Sequence, residues 1–142
     1  MVGSQFWRRT GLVIAVAAVI NVAVYLIATA AGVEILVPQG ATPTPLSVAP
    51  VVVFTIVPLV LAAVLLLVLR RVGVSSPRVF AGIVVVVSLL SLAAPLTADL
   101  TASNKLVLAA MHMVAGLAAL VGLTPLYRAA QTDAPAMAVS NV

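Results

Sequence analysis

The chain has 142 residues, of which 64% are hydrophobic and 7% charged, with a mean hydropathy of +1.32. Soluble domains usually have about a quarter of their residues charged, so this composition excludes an ordinary soluble globule and indicates an integral membrane protein. The net charge of +4 is carried by residues in short segments between apolar runs, so we expect the lipid bilayer and no nucleic acid as a partner. The absence of cysteine excludes disulfides, thiolate metal sites and cysteine nucleophiles.

Four apolar runs are long enough to cross a hydrocarbon layer, which takes about 20 helical residues. In chain order they span about residues 11–31, 48–69, 79–98 and 106–127. Lipid offers no water to pair with backbone amides, so apolar runs of this length must be helices. The sequence therefore predicts an all-α fold, an antiparallel bundle of four transmembrane helices in one domain that comprises residues 1–142.

The first apolar run shares features with a secretion signal. Arg8 and Arg9 precede it, and Ala28, Thr29 and Ala30 have the small-x-small form of a cleavage site. The apolar part of a signal peptide usually has about 7–15 residues, and this run is longer. We therefore expect it to be retained as a membrane helix.

The positions of the cations predict the orientation of the helices. Six of the seven cations fall on one side: Arg8, Arg9, Arg70, Arg71, Arg78 and Arg128. Only Lys105 falls on the other side, so the positive-inside rule predicts a multi-pass protein of the cell membrane with both termini cytoplasmic. We expect the rings of Trp7 and Tyr127, which lie next to arginines, to sit at the headgroup level.

The segments that connect or follow the helices differ in character. Residues 32–47 contain three prolines and two glycines, which predicts an irregular cap over the mouth of the bundle. Residues 98–105 form a short connection, so the third and fourth helices should be antiparallel neighbours. Residues 129–142 carry no recognisable motif, and we expect a mobile tail.

Polar side chains within the apolar runs are the candidate site residues, because each costs free energy in hydrocarbon unless it meets a partner or water. The candidates are Asn21, Tyr25, Thr55, Ser88, Ser91 and His112. Their positions and the helix directions place them at mid-membrane or in the outer half, while the inner half is aliphatic. This asymmetry predicts a polar pocket that opens outward beneath residues 32–47, with Glu34, Asp99 and Lys105 at its rim.

Each candidate also has a structural interpretation. Serine and threonine in membrane helices often bond back to a carbonyl one turn earlier, and Asn21 can join two helices by interhelical hydrogen bonds. Tyr25 can simply pack. His112 is the only histidine, and it either bonds structurally to Asn21, Tyr25 or Ser91, or contacts a ligand or handles protons.

Templates for haem, metal and enzyme sites are not met. Met111 and Met113 flank His112, but neighbouring helical side chains point about 100° apart and cannot ligate one iron from opposite faces. The apolar runs hold no second imidazole and no paired carboxylates, so we expect no cofactor and no metal. There is no GxSxG, HExxH or phosphate-binding glycine loop, and Ser91 with His112 lacks an evident oxyanion hole. We expect no catalytic residues and no enzymatic activity.

Three stretches carry a resemblance to a known family. VVSLLSLAAPL at residues 86–96, LAAMHMVAGLAALVGLTPL at 108–126 and AAGVEILVP at 30–38 resemble an uncharacterised family of small four-helix bacterial membrane proteins, a domain of unknown function. The resemblance covers most of residues 11–127 and implies four helices without an established activity. The recurrent features of the family would fall on Ser88, Ser91, Pro95 and His112.

Two classes of function follow from the sequence. The first is a non-enzymatic accessory or assembly subunit, whose small-residue helix faces contact other membrane subunits or a second copy. The second is a binder or carrier of a small amphipathic molecule in the pocket around His112. A cavity that reaches Asn21 favours the carrier, whereas a closely packed core with exposed Ala and Gly stripes favours the subunit.

Overall fold

Four long helices make up most of the computed structural model, which describes residues 4–39, 42–74 and 76–127. They are α1 (Ser4–Ala30), α2 (Val48–Arg71), α3 (Pro77–Thr97) and α4 (Ala102–Tyr127). All four are long and apolar enough to cross a membrane, so the predicted all-α fold is confirmed and the chain is a multi-pass membrane protein in contact with lipid. The predicted mobile tail and Arg128 lie outside the described residues.

The helices alternate in direction. Two apolar clusters lie at opposite ends of the arrangement. The terminal-side cluster includes Phe6 of α1, Leu66 of α2, Phe80 of α3 and Tyr127 of α4. The hairpin-side cluster comprises Ala28, Ile35, Leu46, Val51, Leu108 and Met111. The buried polar side chains of Asn21 and Thr55 lie between the two clusters.

Close approaches at two glycines set the position of α4. A Cβ on Gly116 would lie 2.7 Å from the Ser88 hydroxyl oxygen of α3, and a Cβ on Gly122 would lie 2.6 Å from two methyl groups of Val13 on α1. Small residues at such points let helix backbones approach closely within a membrane. In contrast, α2 packs extensively on α1 but makes few contacts with α3. A gap therefore separates α2 from α3.

The last turns of α4 are wider than a regular α-helix. After Leu117 the helix continues as a π-helical segment, Ala118–Leu123, before it ends at Tyr127. Pro125 has no amide hydrogen, and in a regular helix its ring would clash with the carbonyl of Val121. The wider π turn is the usual local adjustment for such a disruption of the helical hydrogen bonds.

The segment between α1 and α2 contains a β-hairpin, so the prediction of an irregular cap was wrong. Strands β1 (Leu36–Gln39) and β2 (Thr42–Pro45) pair antiparallel, with Val37 opposite Thr44. The Leu46 amide donates to the Ile35 carbonyl over 2.8 Å, so Ile35 and Leu46 form a hydrogen-bonded pair. Bonded and non-bonded pairs alternate along an antiparallel ladder, and this bond therefore assigns every other pair. Prolines 38, 43 and 45 all fall in the non-bonded pairs, Leu36 with Pro45 and Pro38 with Pro43. The strands can therefore pair although prolines lack the amide hydrogen.

Side chains from α1 and α4 hold this hairpin in place. The Tyr25 hydroxyl donates to the Leu46 carbonyl over 3.0 Å, and the Asn104 amide nitrogen Nδ2 donates to the Leu36 carbonyl over 3.2 Å. Thr101 caps α4, since its side chain accepts from the Asn104 backbone amide. The helix consequently begins at Ala102, earlier than the sequence predicted, and Lys105 lies within its first turns.

The two aromatic rings expected at the headgroup level have different environments. Trp7 is 54% exposed, which is compatible with that position, but Tyr127 is completely buried. The Tyr127 hydroxyl donates to the Val74 carbonyl in the connection between α2 and α3, and its ring stacks on Phe80 with centroids 6.0 Å apart. A backbone carbonyl within the protein thus satisfies the hydroxyl of Tyr127, and its depth at the headgroup level stays a prediction.

Candidate functional site: a cleft between α2 and α3

The gap between α2 and α3 forms a cleft of about 680 Å³. Aliphatic side chains of α2 and α3 form its two walls, and α4 with Asn21 of α1 forms its back. Val37 and Leu46 cover the end beneath the hairpin. Its volume falls within the range of about 300–1,000 Å³ that is usual for small-molecule sites.

The cleft brings together most of the polar residues that the sequence indicated. Those in its lining are Asn21, Thr55, Ser88, Ser91 and His112. Tyr25 is outside the lining, since its hydroxyl bonds to the Leu46 carbonyl of the hairpin. Thr29 is exposed and bonds back to the carbonyls of Tyr25 and Leu26.

The sequence predicted a pocket that opens outward beneath residues 32–47, with Glu34, Asp99 and Lys105 at its rim. Val37 and Leu46 of this segment contribute to the lining of the cleft, whereas Glu34, Asp99 and Lys105 do not. The cleft is open between α2 and α3, since Phe54 and Val87 line it and are exposed, and the two wall helices make few contacts with each other.

Asn21 joins three helices at the back of the cleft. Its amide nitrogen Nδ2 donates to the Thr55 hydroxyl oxygen over 2.8 Å and to the Met111 carbonyl over 3.3 Å. Thr55 in turn donates to the Val51 carbonyl over 2.8 Å. Asn21 is only 2% exposed, and its amide oxygen Oδ1 has no hydrogen-bond partner within the described part of the chain. These bonds link α1 to α2 and α4 and leave a buried acceptor.

His112 is half-buried and bonds within its own helix. Its ring nitrogen Nδ1 lies 2.7 Å from the Leu108 carbonyl oxygen, one turn earlier. The hydrogen bonds to Asn21, Tyr25 or Ser91 that the structural interpretation required are absent among the described residues. The second ring nitrogen, Nε2, has no partner in the same ranges. The histidine therefore presents one unpaired ring nitrogen in a side chain that lines the cleft.

The two serines of α3 lie on the wall of the cleft. The Ser91 hydroxyl donates to the Ser88 carbonyl over 2.8 Å, the local bond typical of serine in membrane helices. The Ser88 side chain packs beside Gly116 of α4. Pro95, which lies one turn after Ser91, lacks the amide that would pair with the Ser91 carbonyl. Hydroxyl and carbonyl oxygens thus cluster on this wall.

Asn104 is a buried polar residue that was not predicted as part of any site. Asn104 was assigned to a loop, but it is 1% exposed and supports the hairpin. Thr101, a preferred N-cap residue shortly before the apolar run, is the sequence signal for this helix start. In the described ranges, side-chain oxygens of Thr10, Asn104 and Thr124 are also buried without a partner.

The lining of the cleft combines a few hydrogen-bonding atoms with aliphatic surface. The described residues contain no group of three His, Asp or Glu side chains that could hold a metal ion. Ser91 and His112 both direct their hydrogen bonds at backbone carbonyls, and no bond between the two is present in this part of the chain. The lining offers hydrogen-bonding atoms on its back and on one wall, and aliphatic surface elsewhere.

Comparison with known proteins places most of the chain in a family. A family model described as a family of unknown function, DUF6069, matches residues 2–129. No curated protein and no solved structure matches the chain. The match covers most of the chain and confirms the resemblance to an uncharacterised family.

Proposed function

Since the chain belongs to DUF6069, a family of unknown function, its activity must be argued from the site itself, and we propose that it binds or carries a small amphipathic molecule in the cleft. The supporting observation is the cleft of about 680 Å³, which reaches Asn21 at the back. A close-packed interior would have favoured an assembly subunit instead. Aliphatic walls suit an acyl or isoprenoid-like chain, and the hydrogen-bonding atoms at the back suit a small polar head.

The lateral opening fits a ligand that arrives from the membrane. Phe54 of α2 and Val87 of α3 are exposed at the sides of the cleft, where lipid chains lie if both helices cross a bilayer. A molecule that partitions into lipid can enter between the two helices without passing through water.

The proposed activity is binding without chemical conversion. A serine nucleophile needs a neighbouring base that accepts its proton. Here the Ser91 hydroxyl donates to the Ser88 carbonyl, and the His112 nitrogen Nδ1 bonds to the Leu108 carbonyl. Neither side chain activates the other in this arrangement, which supports a non-enzymatic function.

An accessory or assembly subunit is the second candidate. The observation in its favour is the sparse packing between α2 and α3, which leaves room for a helix of another membrane subunit or of a second copy. Such a partner would fill the cleft in place of a small molecule. The two candidates therefore compete for the same surface, and one variant tests both.

Replacing Ala115 with phenylalanine is expected to displace the bound molecule. Ala115 lines the back of the cleft, so a phenyl ring at this position fills space that the ligand would occupy. We expect Ala115→Phe, purified from its native membrane in mild detergent, to lose at least about tenfold of the co-purifying small molecule, a loss of about 1.4 kcal/mol in binding. Mass spectrometry of the extracted protein gives the amount.

A matched substitution on the outer surface serves as the control. Ala15 of α1 is exposed and outside the cleft, so Ala15→Phe should retain the ligand. Ala62→Phe, from the α2 wall, should repeat the loss. Equal amounts of small molecule in the Ala115 and Ala15 variants would contradict the proposal. Recovery of a second protein that only Ala115→Phe loses would favour the assembly subunit.

We further propose that the protein lies in the cell membrane with both termini cytoplasmic. The terminal side carries Arg8, Arg9, Arg70, Arg71 and Arg78, whereas the hairpin side carries Lys105. Lysine and arginine accumulate in cytoplasmic loops.

Cysteine labelling is expected to reveal this orientation, because the natural chain contains no cysteine. Ser47 precedes α2 on the hairpin side, and Ser4 begins α1 on the terminal side; both are exposed. In intact spheroplasts, a membrane-impermeant maleimide should label Ser47→Cys, and it should label Ser4→Cys only after lysis. The opposite pattern would invert the proposed orientation.

A further inference from the structure

The hydrogen bonds of His112 determine which kind of atom it offers to the cleft. The Leu108 carbonyl can only accept, so Nδ1, 2.7 Å away, carries a hydrogen and donates it. In a neutral imidazole the other nitrogen is then a bare acceptor. Nε2 of His112 has no partner among the described residues, and the side chain lines the cleft. Nε2 of His112 can therefore accept one hydrogen bond from a ligand.

The neighbouring polar side chains also offer mainly hydrogen-bond acceptors to the cleft. Asn21 directs both hydrogens of Nδ2 at oxygens of Thr55 and Met111, so only its acceptor Oδ1, shielded behind the cleft surface, is left. The hydroxyl hydrogens of Thr55 and Ser91 go to backbone carbonyls. Ser88 is the remaining hydroxyl in the lining with a hydrogen to give. The polar part of the cleft is thus rich in acceptors and poor in donors.

Charge further limits the polar head of the ligand. Apart from His112, the described lining contains no ionisable side chain. With a neutral imidazole at His112, a charged head in this apolar cleft would lose its hydration without gaining an opposite charge, which is strongly unfavourable. Carboxylates, phosphates and quaternary amines are disfavoured for this reason.

Building on the proposed function, we infer that the cleft selects an uncharged amphipathic molecule whose head is a hydroxyl group, with the hydroxyl donating to Nε2 of His112. The hydroxyl supplies the donor that the cleft lacks, and Ser88 can donate to the oxygen of the same head. The aliphatic tail lies along the walls formed by α2 and α3. An ether or a ketone of the same size offers no hydrogen and leaves Nε2 unpaired.

A matched set of three photoreactive compounds tests this selectivity. A long-chain alcohol with a diazirine in its tail is compared with its methyl ether and with the corresponding carboxylate, using the purified full-length chain in lipid nanodiscs. We expect the alcohol to label residues of the cleft about fivefold to tenfold more efficiently than the ether, as expected for one lost hydrogen bond. The carboxylate should label even less.

Variants of His112 test whether its Nε2 is the acceptor of the hydroxyl hydrogen. His112→Leu should bind the alcohol and the ether equally weakly, whereas His112→Gln, which retains an acceptor oxygen, should preserve part of the preference. Circular dichroism and thermal unfolding of each variant verify that the helices are intact. A preference for alcohol that survives in His112→Leu would overturn the assignment to Nε2.

The possible results separate this inference from the proposed function. Equal labelling of the cleft by alcohol and ether, both abolished in Ala115→Phe, would overturn selection of a hydroxyl head and leave the binding function standing. Preferential labelling by the carboxylate would overturn the charge argument. Labelling by all three compounds that is insensitive to Ala115→Phe would reject the binding function itself.

Discussion

Val85→Arg is expected to impair the insertion of α3 into the membrane. Val85 lies in the middle part of α3 and is 40% exposed, so its side chain faces lipid. An arginine at the centre of a membrane helix costs roughly 2.5–3.5 kcal/mol on insertion scales, which corresponds to about a hundredfold change in the insertion equilibrium. Glycosylation mapping in microsomes measures the inserted fraction.

The same arginine placed near the end of the helix is the matched control. Val79, in the first turn of α3 beside Arg78, has nearly the same exposure, 43%, as Val85. A long cationic side chain at this position can extend to the interface, so Val79→Arg should insert almost normally. If the two variants insert equally well, lipid does not surround the middle of α3 and the membrane assignment fails.

Phe80→Ala is expected to produce the largest loss of stability among single substitutions in the terminal-side cluster. Phe80 is completely buried and stacks on Tyr127. Removal of a buried phenyl ring costs about 3–5 kcal/mol through lost contacts and the remaining cavity. The ring of Tyr127, whose hydroxyl holds the connection between α2 and α3 at Val74, would also lose its support. Reversible unfolding in mixed detergent micelles measures the change.

The same substitution at an exposed phenylalanine is the control. Phe54 is 58% exposed on α2, and Phe54→Ala should change the free energy of unfolding by no more than about 0.5 kcal/mol. Phe80→Leu fills most of the space and should lie between the two. Similar losses for Phe80→Ala and Phe54→Ala would mean that Phe80 is not packed as described.

The number and type of the helices could be predicted because they depend on the solvent alone. Apolar runs of about 20 residues have no other stable conformation in lipid. The helix start at Ala102 was placed too late, because the capping by Thr101 was not recognised. The hairpin was missed for a physical reason: prolines argue against a strand, and only the register reveals that all three lie at non-bonded pairs.

The polar residues of the cleft could be named from sequence, since each stands out in an aliphatic run. Their mutual geometry could not. The separation of α2 from α3 depends on how closely α4 approaches its neighbours at Gly116 and Gly122, and on the bond between Asn21 and Thr55. The hydrogen-bond partners of His112 and Tyr127 could not be predicted either, because both are backbone carbonyls, which the sequence does not distinguish from one another. The bonds from Tyr25 and Asn104 that hold residues 32–47 in place could not be predicted either, because their acceptors are backbone carbonyls.

The placement of prolines in the hairpin also affects which other chains can associate with it. Residues of non-bonded pairs direct their backbone groups away from the partner strand, so Pro43 and Pro45 leave the outer edge of β2 without an amide donor at either position. On β1, Leu36 retains its amide, and its carbonyl is already bonded to Asn104. An incoming strand would find few groups to pair with on either side. The hairpin is thereby protected against strand addition, the route by which exposed β-structure usually aggregates.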